Sequence, residues 1–440
     1  MRWTERALAS RGVVGSVAWS FVSDLASKMS TLIVNLAAIA LLTPDQFGRF
    51  AAFQAAGLLG FAVWDLGVSP LLTREVAAGR IAGDGIVREV ARLRAFTLAP
   101  AVAVVAVGVA TVEGSLGALA AASAYMVAFG TQLVIQSALR GNFRFRDAAA
   151  STLGGRVGLL ASFLLVLRFA PADHLVEFVL LSLAVGEAVT SVLALWQLKS
   201  SKVSAAGQAA GHVLTFRRAA PFAATSLLQV SYNRLDVVLI AAISSTTVVG
   251  YYGLASRLQD LMYLVPNMVS VVLLPYASRL YTAGAGGAKE TFSLWARLTV
   301  AAVGVSVVGA AIISSLAPAW IPHLFGTQYE GSVVPVQVIV WSVPLITFNL
   351  GLAAVVSGRH KAHYVSFGML GALGAVVVTD IFLVPLLGAT GAAIGATVRE
   401  LPLAAVLIVG ASASGLFGRV ARPTKRQFRG ILVPRRGSRR

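Results

Sequence analysis

The sequence predicts an all-α polytopic membrane protein. It would have about 12 transmembrane helices in two six-helix lobes, related by a pseudo-twofold axis along the membrane normal, with a central cavity. Three observations predict this: a composition that water cannot solvate, apolar spans alternating with basic loops, and an internal repeat. Hydrophobic residues make up 57% of the 440 residues and charged residues only 12%, with a mean hydropathy of +0.80. A soluble protein carries about 25% charged residues, so this chain has too little charge to coat a surface of its size. Disorder, a coiled coil and a water-soluble enzyme are excluded. Lipid must be the solvent for most of it.

A membrane helix needs about 20 mostly apolar residues to cross ~30 Å of hydrocarbon. Twelve stretches qualify: residues 14–42, 48–72, 93–112, 115–139, 148–169, 175–198, 217–243, 247–276, 293–317, 332–357, 362–386 and 390–414. The first follows Arg2, Arg6 and Arg11, as in a signal peptide. Its apolar stretch, however, runs far past the roughly 7–15 residues of a signal core and lacks a clear small-residue cleavage site, so it reads as a retained span. Breaks fall at turn residues such as Thr43-Pro44-Asp45, Glu113-Gly114 and Pro171-Ala172-Asp173, and at Gly284 to Gly287. The predicted organisation is an N-terminal segment 1–13, a lobe 14–198, a linker 199–216, a second lobe 217–414 and a basic tail 415–440.

Cytoplasmic loops concentrate Lys and Arg. Of the 36 basic residues, 30 fall in alternate loops and at both ends of the chain, whereas the opposite side holds only Arg49 and Arg168. Both termini are therefore expected in the cytoplasm. The net charge of +18 has the same origin. The tail, with nine basic residues and no acid, reads as a topological anchor that touches anionic lipid headgroups, at about 1 kcal/mol per basic residue near the surface; it is not read as a nucleic-acid binder.

Shifting the sequence by 202 residues lays one half on the other. Gly48-Arg49-Phe50 falls on Gly250-Tyr251-Tyr252, Asp65 on Asn267, and Leu71-Leu72 on Leu273-Leu274. A looser shift of 213 puts Glu187 on Glu400. Six spans per half make the repeats parallel. Folds of that kind place their cargo near the midplane between the halves.

An ionisable residue at a helix centre costs at least about 2.5–3.5 kcal/mol unless paired or wet. Asp24 and Lys28 lie four apart on one helix face and can neutralise each other. Arg234 and Asp236 point to different faces, so each needs a partner elsewhere or water. Arg257 and Asp260 share a face at spacing three, with Tyr263 and Asn267 continuing the stripe. Arg399-Glu400 lies in the last span, and Asp65, Glu187 and Asp380 have no obvious local partner. A stripe of Gln229, Tyr232, Arg234 and Asp236 facing a wet cavity would attract an anion. The chain has no cysteine, Walker loop or G-x-S-x-G elbow. Its five histidines lie in loops or at span ends, with no carboxylate beside His360 and His363 to build a metal site.

Asp236, Val249-Gly250-Tyr251-Tyr252, Ala255-Ser256-Arg257-Leu258 and Leu274-Pro275-Tyr276-Ala277-Ser278-Arg279-Leu280 form a pattern that resembles the oligosaccharide (polysaccharide) flippases of the MOP (multidrug/oligosaccharidyl-lipid/polysaccharide) exporter superfamily. Thr43-Pro44-Asp45-Gln46-Phe47-Gly48, Asp65-Leu66-Gly67 and Gly388-Ala389-Thr390-Gly391-Ala392-Ala393 are similar to further turns of that family. The resemblance implies two lobes in a V around a cavity. It also implies export of an undecaprenyl-pyrophosphate-linked oligosaccharide across the bacterial cytoplasmic membrane by alternating access. On that reading Lys28, Arg234 and Arg257 hold the pyrophosphate. Asp24, Asp65, Asp236, Asp260 and Glu400 are candidate ion-coupling or pairing groups, and Gln229, Tyr232, Tyr263 and Asn267 line the cavity. The implied partners are the lipid-linked oligosaccharide, membrane lipids, H⁺ or Na⁺, and the glycan polymerase or glycosyltransferases of the same pathway; no cofactor is expected. Two relatives compete: lipid II flippases, which usually have two more spans, and drug/cation antiporters, which want acids for cationic cargo. A polytopic glycan polymerase or ligase would need a long outside loop, and the longest here is expected at about residues 317–332.

Overall fold

The computed structural model describes residues 3–81, 84–200, 214–281, 285–414 and 416. The basic tail beyond that point and most of the linker lie outside the described residues. The described chain is helical throughout. The first half contains α1 (Trp3–Leu41), α2 (Pro44–Asp65), α3 (Val68–Ala77), α4 (Asp84–Ala110), α5 (Leu116–Gly141), α6 (Phe145–Phe169) and α7 (Leu175–Ser200). The second contains α8 (Phe216–Ile243), α9 (Thr246–Met262), α10 (Leu264–Tyr281), α11 (Ala285–Phe325), α12 (Val333–Ile339), α13 (Ser342–Gly358), α14 (His363–Leu387), α15 (Ala389–Val398) and α16 (Glu400–Ala413). Among the described residues ten stretches are long and apolar enough to span a membrane, and two further pairs, α9 with α10 and Thr327–Ile339 with α13, reach that length and apolarity together across bends of 40° and 42°. Large apolar side chains such as Phe96, Leu164, Phe382 and Leu386 stand exposed on the outer surface, which only lipid tolerates on this scale.

Local chemistry explains the ends. Thr43 caps α2 with a full capping box to Gln46, and Pro44 sits where its missing N–H costs nothing. The second span is not one helix over 48–72, as expected, but stops at Asp65. Leu66 and Gly67 both take positive φ, 38° and 76°, which ends α2. The Asp65 carboxylate then accepts from the backbone N–H of Ser69, in the first turn of α3, at 3.2 Å. The outside stretch expected as a loop over 317–332 is structured: α11 continues to Phe325, and a 3₁₀ segment, Thr327–Ser332, follows.

Three other breaks share one cause. The α9–α10, α12–α13 and α15–α16 junctions are centred on Tyr263, Trp341 and Arg399, with Pro266, Pro344 and Pro402 each three residues on. A proline ring clashes with the carbonyl four residues back. Those carbonyls belong to Met262, Val340 and Val398, at or beside the last residue of each preceding helix.

The two lobes repeat each other's packing. In the first, α1 packs on α6, α3 on α5 and α6 on α7; in the second, α8 packs on α14, α10 on α13 and α14 on α15 and α16. The seam is α2 against α9. A Cβ on Gly48 would enter the Thr246 carbonyl, and one on Gly250 would enter the Pro44 carbonyl. Thr246 and Pro44 are themselves 202 residues apart, so the two contacts are a reciprocal pair, as a twofold axis between the helices requires. Around this crossing Phe47, Phe50, Ala51, Tyr252, Leu254 and Tyr329 form a core shared by both lobes.

Candidate functional site

Between the lobes lies a cavity of about 490 Å³. Its walls come from α1 (Ser27, Lys28, Thr31, Asn35), α2 (Leu58, Phe61) and α5 (Phe129, Leu133) on one side, and from α8, α9 and the start of α10 on the other. Past Asn35, α1 runs on to the end of the bundle that carries Leu42, Pro44 and Thr246. There the seam is closed by the glycine crossing, by Thr246 donating to Asp45, and by the Tyr329 hydroxyl donating to the Leu42 carbonyl at 3.0 Å. A smaller cavity of about 260 Å³ adjoins it between α1 and α10, lined by Asp24, Leu25, Lys28, Leu264, Asn267, Met268 and Val271. Lys28 and Leu264 line both.

The polar side of the cavity is cationic. Arg257 is buried, donates to the Gln54 side chain of the opposite lobe, and lies 3.3 Å from Asp260. Arg234, from α8, reaches the same Asp260 oxygen at 3.6 Å. Lys28 lines the wall opposite, and no ion pair joins it to a described residue. Three cations thus face one carboxylate, in walls that are otherwise largely apolar: Leu32, Leu58, Phe61, Phe129, Leu133, Val230 and Leu261. A low-dielectric surround strengthens every charge interaction inside it, so an anion entering here meets an unspent positive field.

Of the residues singled out from sequence, the structure brings Lys28, Arg234, Arg257, Asp260 and Tyr263 together around the main cavity. Asp24 and Asn267 line the adjoining one. Asp24 does not pair with Lys28 as expected; its carboxylate lies 3.7 Å from Arg140 at the end of α5. Gln229 and Tyr232 do not line the cavity. On α8 the cavity face carries Val230, Asn233 and Arg234, whereas Tyr232 and Asp236 are one turn apart on a second face and turn into the C-terminal lobe. The expected single stripe is therefore two stripes on two faces.

That second face anchors a buried polar network. Tyr232 donates to Glu400, which also accepts from Asn349 at 2.9 Å. Arg399 donates to Asp236 at 3.2 Å and to the Tyr232 carbonyl at 3.0 Å, its guanidinium 4.6 Å from the Tyr232 ring. Tyr252 donates to Asp236 at 2.5 Å. Asp236 and Glu400 are thus partnered inside this lobe and away from the cavity.

Asp65 is likewise remote. It binds Arg94, which donates to the Gly130 carbonyl at 2.8 Å and stacks 4.4 Å from the Trp64 ring. Glu187 takes a two-pronged pair of bonds from Arg156 at 2.9 and 3.0 Å. By sequence, Arg94 and Arg156 are counted with the basic loops 74–94 and 140–156, which overlap the starts of the expected spans 93–112 and 148–169. In the structure both are buried in helices, because each neutralises a buried acid on a neighbouring helix. Their partners are 29 and 31 residues away, beyond any helical spacing rule, so no local pattern announces them. Gln54 and Asn233 also escape sequence reading, as uncharged residues in apolar spans.

Among solved structures the fold is similar to a lipid II flippase, MurJ, in an inward closed conformation: TM-score 0.71, 11% identity, covering 89% of this chain and 87% of that one. An inward-facing multidrug resistance MATE family transporter of the MOP superfamily gives 0.68 at 13% identity, over 88% and 94% of the two chains. A Vibrio cholerae MATE transporter, VcmN, gives 0.57 at 13%, over 92% and 98%. At such identities the likeness is one of fold. No curated protein sequence matches the chain. The family described as "Polysaccharide biosynthesis protein" matches residues 13–281, more than half of the sequence. This chain is therefore a multi-pass membrane protein with the fold of those transporters, and it belongs to the polysaccharide biosynthesis protein family.

Proposed function

We propose that the protein flips a lipid-linked oligosaccharide, carried on undecaprenyl pyrophosphate, from the inner to the outer leaflet of the bacterial cytoplasmic membrane. The lobes 14–198 and 217–414 would alternate around the cavity, with both termini in the cytoplasm. The observation that carries this reading is the cavity's charge: Lys28, Arg234 and Arg257 against Asp260 alone, between apolar walls. A pyrophosphate needs converging cations in a dry site, whereas a cationic drug needs the reverse balance. The gap between α1 and α10, lined by Leu25, Leu264, Met268 and Val271 beside Lys28, offers an apolar path for a lipid chain. With the seam tight at the Leu42–Thr246 end, this conformation is closed to the outside on the orientation that the basic loops give. In the membrane the substrate, H⁺ or Na⁺ and the enzymes that build and polymerise the glycan are the expected partners.

The test is flipping of a fluorescent undecaprenyl-pyrophosphate-linked glycan in proteoliposomes, comparing wild type with Arg234→Ala and Arg257→Ala at matched protein levels. Loss of most of the rate in both variants supports the site. Normal flipping by the variants rejects these arginines, and no flipping by wild type rejects the cargo and turns the question to drug or cation antiport.

A further inference from the structure

Ser27, Thr31 and Asn35 follow one another at spacing four along α1, so they form one polar stripe, and all three line the main cavity. Lys28 stands beside the start of that stripe. Asn35 ends it, about two turns short of the seam at Leu42 and about 10 Å further along the helix than Lys28.

Asn35 is only 1% exposed. Its amide nitrogen donates to the Thr31 carbonyl at 2.6 Å. A carbonyl only accepts, so that bond settles which end of the amide is nitrogen and which is oxygen. The Asn35 Oδ1 atom is left without a hydrogen-bond partner. Asn233, on the α8 wall of the same cavity, repeats the arrangement. Its amide nitrogen donates to the Gln229 carbonyl at 2.8 Å, again four residues back, and no described residue bonds its oxygen. Each lobe thus brings one amide to the cavity wall, its nitrogen pinned to its own helix and its oxygen unspent.

An amide oxygen accepts hydrogen bonds. The oxygens of an ionised pyrophosphate also accept, so the two have nothing to exchange. Lys28, Arg234 and Arg257 answer phosphate; the oxygens of Asn35 and Asn233 answer only a donor. On a lipid-linked oligosaccharide the donors are sugar hydroxyls and acetamido N–H groups. A buried acceptor without a donor is costly, which makes Asn35 a poor wall residue unless something in the cavity serves it. The second N–H of each amide can donate in return to a sugar oxygen. Phe61 and Phe129, edge to face with ring centroids 4.9 Å apart, add an apolar surface in the same cavity for the C–H face of a sugar ring.

We infer that Asn35 and Asn233, with Thr31, form a carbohydrate subsite that reads the sugar joined directly to the pyrophosphate. With the phosphates at Lys28, Arg234 and Arg257, that sugar points toward the Leu42–Thr246 end, and the lipid chain lies in the gap between α1 and α10. The inference rests on the transport reading. It divides the cavity into a phosphate part and a sugar part, and it places discrimination between cargoes in two uncharged residues.

The test is equilibrium binding to the purified full-length protein in lipid nanodiscs. Three probes are compared: undecaprenyl pyrophosphate alone, and the same lipid carrying either one N-acetylglucosamine or one galactose. Wild type should bind one of the sugar-bearing lipids at least about tenfold more tightly than the bare one, because amides built to bond a sugar go unpaired without it. The double variant Asn35→Leu, Asn233→Leu should bring the sugar-bearing lipids down to the affinity of the bare one, whereas Arg234→Ala should weaken all three alike. Leucine is close to asparagine in shape and removes the unmet acceptor, so Asn35→Leu should melt at or above wild type. Equal binding of the three lipids by wild type, or a preference that survives in the double variant, overturns the subsite and leaves the transport reading standing. Melting of Asn35→Leu well below wild type makes Asn35 a packing residue and overturns it too. Binding of none of the probes by wild type removes the transport reading, and the subsite with it.

Discussion

Gly48 and Gly250 meet across the seam between the lobes: a Cβ on Gly48 would stand 3.0 Å from the Gly250 backbone nitrogen and would run into the Thr246 carbonyl. Neither helix can carry a side chain at the crossing, so α2 and α9 touch backbone to backbone. Gly48→Val should therefore force the seam apart, at a cost of about 1–3 kcal/mol typical of overpacking. The chain has no cysteine, so a pair introduced at Asp45 and Thr246, whose side chains hydrogen-bond, reports the seam directly. Disulfide yield should fall several-fold in Gly48→Val, and an unchanged yield would show that the helices accommodate the added bulk.

Arg257 bridges the lobes inside the cavity, joined to Gln54 on one side and Asp260 on the other. A guanidinium serves both because its donors fork; a lysine ammonium reaches as a single point. Arg257→Lys keeps the charge but should lose one of the two bonds. Hydrogen bonds to charged groups contribute about 1.5–3 kcal/mol each. Flipping by Arg257→Lys should then drop about tenfold or more, well below wild type in the proteoliposome assay. Full activity would mean that charge alone matters at this position.

The Arg156–Glu187 pair is a contrasting case, buried between α6 and α7 and away from the cavity lining. Removing one partner of a buried pair strands the other, at about 3–5 kcal/mol, whereas apolar replacement of both is often neutral. Glu187→Leu alone should lower the melting temperature in detergent sharply. The double variant Glu187→Leu, Arg156→Met should recover most of the loss and still flip substrate. A double variant that is stable but inactive would give this pair a role in transport.

The fold was legible because lipid imposes it: apolar length gives the spans, basic loops give their alternation, and the match of Gly48 to Gly250 gives the axis. The site was legible in part. Arg234, Arg257 and Lys28 stand out because charge in an apolar span demands a reason. What stayed hidden was which charge answers which. Asp65 with Arg94, and Asp236 with Arg399, are joined by tertiary packing at separations of 29 and 163 residues, and no helical periodicity encodes such pairs. The α8 stripe divides between two faces for a related reason. Tyr232 and Arg234 are two residues apart, and in a helix that spacing sends them to different neighbours.

The breaks at Tyr263, Trp341 and Arg399 were written in the sequence as a proline three residues after each, which yields a last prediction. At the first of them α9 and α10 meet at 40°, and the Pro266 ring excludes the Met262 carbonyl from a helical bond. Pro266→Ala restores a donor at that position and removes the clash. A proline in a helix interior costs about 3 kcal/mol relative to alanine, which is ample to favour a straighter span. Because α10 forms one wall of the gap beside Lys28 and Asn267, straightening it should change the α1–α10 separation. Spin labels at Leu25 and Val271, read by pulsed electron paramagnetic resonance, should show a shifted distance in Pro266→Ala, with an altered flipping rate. If the distance distribution matches wild type, the bend is held by packing of α10 on α11 and α13, and the proline merely tolerates it.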